Sequence, residues 1–182
     1  MWVKNVLEYS PCTSFFHLLR HTPSPANPSL SYSRVFLFLN YMRYKILLKE
    51  IKFEEGHRPT AYLDTKGIWT ISYGFTSVDG VKVSQYTPML SQEVEQRNLH
   101  SHIFRAINIA MRYVSNFCEL SDDRQEVLIN MAYQLGTRLL NFTKTKMFIE
   151  QRNYEQASIE MLDSNWNKQT PHRALRMSNK FK

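Results

Sequence analysis

At 182 residues the chain is long enough for one domain with a real core, and its 43% hydrophobic share excludes wholesale disorder. Lys and Arg outnumber Asp and Glu, 23 to 16, and the net charge of +7 points to an anionic partner: nucleic acid, a membrane surface or a bacterial wall. Two cysteines, Cys12 and Cys118, are too few for a disulfide framework and read as free thiols of a reducing compartment.

The first stretch carries no secure element. Phe15 to Leu19 is too short for a signal-peptide core, and His21 to Ser29 is a Pro/Ser-rich linker. Val35 to Leu39 is apolar, but Arg34 and Arg43 bracket it well short of the ~20 residues that a bilayer span needs. Residues 1–41 are therefore read as an N-terminal extension or linker and 42–182 as the folded domain, with neither export signal nor anchor. Met42 is a candidate start.

Tyr44, Leu47, Leu48, Ile51 and Glu55 recur at spacings of three and four, which predicts a helix. Gly56 stops it, so Glu55 falls on its last turn, and Pro59 cannot continue it. Two β-rich runs, 61–63 and 68–71, then flank Asp64-Thr65-Lys66-Gly67, an Asp-first, Gly-last turn, and predict a hairpin. Glu55, Asp64 and the hydroxyl of Thr70 are thus delivered from neighbouring elements. Glycoside hydrolysis needs such a set: one carboxyl to protonate the leaving oxygen and one carboxylate on the other side of the sugar. Partial burial and the helix C-terminus favour the acid form of Glu55, while an exposed turn keeps Asp64 ionised.

Further on, 77–80 predicts another turn, and Val81-Lys82-Val83 a third antiparallel strand. Ser91 is an N-cap for a long helix to about Val114, with Leu99, Ile103, Ala106, Ala110 and Tyr113 on one face. His100 and His102, two residues apart on it, read as surface histidines rather than metal ligands. Ser121 opens a helix whose run Val127, Leu128, Ile129 and Met131 implies burial on most sides, with Gly136 as its C-cap. Shorter helices follow over 143–150 and 154–162, and Thr170-Pro171 opens the last. Met147, Phe148, Ile149, Met161 and Trp166 are assigned to the core.

The order Glu55, eight residues, Asp64, five residues, Thr70 resembles the Glu-x8-Asp-x5-Thr pattern of the bacteriophage T4-type lysozymes, glycoside hydrolase family 24. A second match covers 128–136 and Asn165 to Arg176, so the resemblance runs from about Met42 to the C-terminus. It implies an α+β, mostly α, lysozyme-like fold. A small lobe (42–90) would carry a three-stranded antiparallel sheet and the catalytic residues; a long connecting helix and a larger helical lobe would fill 91–182.

The resemblance also implies the roles. Glu55 is the general acid, Asp64 and Thr70 hold and activate the attacking water, and Arg173 lies beside the glutamate. Tyr133, Gln134 and Thr145 face the saccharide. No metal or organic cofactor is implied. The partner is peptidoglycan, cut at the β-1,4 bond between N-acetylmuramic acid and N-acetylglucosamine with inversion. The enzyme is expected to be a monomer without nucleic-acid partner or stable membrane insertion, held in the cytoplasm of a host bacterium until it is released onto the wall. One departure is Phe75, where the family's hairpin usually closes with Gly-His-Thr; there the histidine pairs with an acid on the connecting side, and Phe75 would put apolar packing in place of the ion pair. The alternatives are a lytic transglycosylase on the same scaffold, a non-catalytic wall-binding protein, and a cationic membrane-active protein.

Overall fold

The computed structural model describes residues 45–182. The linker 1–41 and the helix start at Tyr44 lie outside them. Helix α1 (Lys45–Glu55) buries Leu47, Leu48 and Ile51, as its period requires, and leaves Ile46 and Phe53 exposed. Gly56 ends it at φ +66°, a conformation that a Cβ disfavours.

Strands β1 (Arg58–Leu63) and β2 (Trp69–Ser72) form the predicted hairpin, with Tyr62 opposite Thr70 and Leu63 opposite Trp69. The expected third strand does not join them. Strands β3 (Ser77–Val78) and β4 (Val81–Lys82) pair with each other in a separate two-stranded sheet. The cause is a tight reversal after β2: Ile71 and Phe75 exchange both backbone hydrogen bonds, at 3.0 and 2.9 Å, leaving a three-residue loop at 72–74. Beyond that one bridge the chain leaves the edge of β2.

Helix α2 (Gln92–Tyr113) is capped by the Ser91 hydroxyl, which accepts from the Val94 N–H, and it buries Leu99, Ile103, Ala106, Ala110 and Tyr113 as read from the sequence. His102 is a correction: it is half-buried, with its ring 4.9 Å from that of the fully buried Phe75. The packing expected of Phe75 is therefore ring on ring. Cys118 is disulfide-bonded and not a free thiol; Cys12 lies outside the described residues.

Helix α3 (Asp122–Leu135) is buried continuously from Gln125 to Ala132 and forms the centre of the helical part. Around it lie α4 (Thr143–Glu150), α5 (Tyr154–Leu162), the short α6 (Asn165–Gln169) and α7 (Pro171–Phe181). Ile149, Met161 and Trp166 are core residues, whereas Met147 is 44% exposed and Phe148 half-buried. The inward face of α4 runs through Thr145 and Ile149, four apart, which turns Met147 outward. Among the described residues no helix is long and apolar enough to cross a membrane.

Three ion pairs join α1 to α7 with the helices reading in opposite directions: Glu50 with Lys180 at 3.2 Å, Glu54 with Arg176, and Glu55 with Arg173 at 2.8 Å. Lys180 also binds the buried Glu126 of α3 at 2.7 Å. Removing one partner of a buried pair leaves an uncompensated charge, so Lys180→Met should destabilise by about 3 kcal/mol in urea unfolding at neutral pH, and Glu126→Gln in the same chain should restore part of it. Burial opposes the charge on Lys180, but Glu126 and Glu50 outweigh it and raise its pKa. A raised value in the folded state means that the contribution is whole at neutral pH and fades as pH climbs through the alkaline range, where the two proteins should converge.

Candidate active site

Glu55 closes α1, and Arg173 stands in the first turn of α7, 118 residues away along the chain. Arg173 Nη1 donates to Glu55 Oε1 at 2.8 Å, and its Nε donates to Asn130 Oδ1 on α3, also at 2.8 Å. The arginine side chain is only 5% exposed and the glutamate 22%. A nearly dry guanidinium, itself oriented by Asn130, thus holds one oxygen of the carboxyl group through a single charge-assisted hydrogen bond. Arg173 Nη2 and Asn130 Nδ2 are buried beside it without a hydrogen-bond partner among the described residues.

The second carboxyl oxygen, Oε2, lies against Gly74. A Cβ there would stand 3.4 Å from it, and Gly74 has φ +82°. The contact would be an ordinary one for a methyl group; it is the positive φ that favours glycine at this position.

The hairpin supplies the other two groups. Asp64 Oδ1 accepts from the backbone N–H of both Lys66 and Ile68 at 2.8 Å, an Asx-type turn that fixes one oxygen and leaves Oδ2 uncommitted to it. Thr70 Oγ1 donates to the Ile68 carbonyl at 3.0 Å, so its proton is used and its lone pairs remain as acceptors. With Thr70 opposite Tyr62 in the ladder, Asp64 and Thr70 are diagonal neighbours on the same face. Thr70 is 4% exposed.

The family model for phage lysozyme matches residues 52–178, from the last turn of α1 into α7. The chain belongs to the phage lysozyme family. It is accordingly a glycoside hydrolase of the muramidase type, with peptidoglycan as its substrate class. Among curated proteins it is similar to probable T4-type lysozyme 2 of Dictyostelium discoideum, 27% identical over 72% of this chain and 90% of that one. Probable T4-type lysozyme 1 of the same organism is 24% identical over 70% and 88%.

Elsewhere in this lysozyme the expected saccharide-facing residues divide. Tyr133 and Gln134 end α3 half-buried, and both already have protein partners. Tyr133 donates its hydroxyl to the Tyr73 carbonyl at 3.3 Å, and Gln134 Oε1 accepts from Trp166 Nε1 at 2.6 Å, leaving the Gln134 amide N–H groups for a ligand. Burial raises the pKa of the Tyr133 hydroxyl, the Glu55 carboxylate adds to this and Arg173 opposes it, so the group is a donor. Thr145 is 2% exposed and bonded to the Tyr113 hydroxyl inside the helical part of the lysozyme. Asn130 and Gly74 were missed in the sequence. A signal for Asn130 existed: it is the one polar residue in the apolar run 127–132, three before Tyr133 on the same helical face.

His102 lies between Phe75 and Tyr133, ring centroids 4.9 and 6.3 Å away. Its pKa is lowered by burial and by Arg105, against a hydrogen bond with the Ser77 backbone. A histidine whose folded value is depressed contributes stability that is present above its unfolded value, about 6.5, and lost as pH falls toward the folded one. His102→Phe keeps a ring on Phe75 without the titration. Its melting temperature should fall less than that of the wild type between about pH 7 and pH 5.

Proposed function

We propose that this lysozyme hydrolyses the β-1,4 bond between N-acetylmuramic acid and N-acetylglucosamine, with Glu55 as general acid and Asp64 and Thr70 holding the attacking water. The observation that carries this reading is the asymmetric clamp on Glu55. One carboxyl oxygen is bound by Arg173, which leaves the other, beside Gly74, to give its proton to the glycosidic oxygen. On the hairpin, Asp64 Oδ2 accepts a proton from water while Thr70 Oγ1 accepts a hydrogen bond from it, orienting a lone pair toward the anomeric carbon. Bond cleavage with water entering opposite the leaving group inverts the configuration. The enzyme acts as a monomer, and its biological role is lysis of the bacterial wall.

Glu55→Gln keeps shape and removes the transferable proton, so turnover should fall by at least the ~10²–10⁴ of general acid catalysis. Glu54→Gln, next to it but paired with Arg176, should stay within a few-fold of wild type. The reverse order would sink the assignment of Glu55. The products of a peptidoglycan digest test the reaction itself. Reducing muramic acid ends are expected; 1,6-anhydro ends would make the protein a transglycosylase, and no released sugar would leave wall binding or membrane disruption.

The surplus of positive charge is assigned to anionic wall polymers rather than to nucleic acid. Lys144 and Arg152 are among its exposed carriers. Screening shortens from about 10 Å at 0.1 M salt to about 3 Å at 1 M, so activity on whole walls should drop steeply over that range. Activity on a short uncharged oligosaccharide should change far less. Equal losses on both would show that the charge serves the site and not wall attachment.

A further inference from the structure

The loop 72–74 is strained and tethered. Ser72, a non-glycine residue, has φ +56°, and its buried hydroxyl has no hydrogen-bond partner among the described residues. Such a conformation persists only where its surroundings hold it in place, and it concentrates at functional sites. Two constraints hold this one. At the base, Ile71 and Phe75 exchange backbone hydrogen bonds and Phe75 is fully buried. At the tip, the carbonyl of Tyr73 accepts the hydroxyl of Tyr133, sixty residues away on α3. Next in the chain is Gly74, where a Cβ would stand 3.4 Å from Glu55 Oε2. The ring of Tyr73 lies 5.0 Å from His57, under the Lys52 ammonium, so the tip is packed from the other side as well.

We infer that Tyr133 is a positioning residue: its hydroxyl holds the 72–74 loop against Glu55 and so orients the oxygen that donates the proton. This rests on Glu55 being the acid. At 3.3 Å the O–H···O contact is longer than the usual 2.5–3.0 Å, and a small approach of the loop to α3 brings it into range. Tyr133 is therefore withdrawn from the sugar-contacting set: its hydroxyl acts through the backbone of the loop.

The test uses the full chain and solubilised peptidoglycan strands, with kcat, KM and melting temperature read for each variant. Tyr133→Phe removes one hydroxyl. It should lower kcat about tenfold, the rate equivalent of one ordinary hydrogen bond, with KM unchanged within error. Ser72→Gly relieves the backbone strain and should raise the melting temperature while lowering kcat, a combination that a merely structural role would not produce. Because both act on one loop, the double variant should lose less than the product of the two separate losses. A raised KM with kcat retained in Tyr133→Phe would mean that the hydroxyl touches sugar, and would overturn the inference. So would wild-type kcat in both single variants. Glu55→Gln, run in parallel, separates the two levels: if it turns over normally, the acid assignment itself is wrong, whatever Tyr133 does.

Discussion

The contact on which the rest depends is the ion pair between Glu55 and Arg173. It is made in a nearly dry setting, where separating the charges from water costs several kcal/mol per ion and only close, well-aligned contacts repay it. Asn130 contributes the alignment by taking the Nε proton of the arginine. The pair also has company. Glu50 and Glu54 on α1 meet Lys180 and Arg176 on α7, so acidic residues of one helix face basic residues of the other at three levels. The first and last described helices are held together by charge, and the acid is the innermost rung.

Much of this architecture was legible locally. The apolar face of α2, the central burial of α3, the glycine stops at 56 and 136 and the Asp64-to-Gly67 turn follow from periods and turn chemistry within a few residues. The spacing put Glu55 on the last turn of a helix, Asp64 in the turn and Thr70 on the following strand, where the structure has them. What escaped was contact at long range. No local pattern says that Arg176 reaches Glu54, that Tyr133 reaches Tyr73, or that Asn130 orients Arg173. The third strand failed for a related reason: its β-rich letters were read correctly, but the three-residue reversal at 72–74 decided where the strand could pair. His102 was misread because a polar letter on a helix says nothing of the ring that comes to lie on it.

The chemistry is divided between a rigid and a tethered half. Asp64 and Thr70 share one short hairpin, both tied to Ile68, so their mutual placement is a property of a dozen residues. Glu55 is different. Its position depends on α1, on α7 through Arg173, on α3 through Asn130, and on the loop at Gly74. Asp64 and Thr70 depend on contacts within the hairpin, whereas Glu55 depends on contacts drawn from distant parts of the chain. Substitutions on α7, far along the chain from α1, therefore reach Glu55 through Arg173.

The 118 residues between Glu55 and its guanidinium also have a meaning in time. A chain emerging from the ribosome presents α1 and the hairpin early, and domains assemble from the N-terminal side as they appear. Arg173 is made 118 residues later than Glu55. Until α7 has emerged and docked, Glu55 lacks the guanidinium that binds its Oε1. The charged partner of the glutamate thus arrives well after the α1 and hairpin segments that flank the glutamate in the chain.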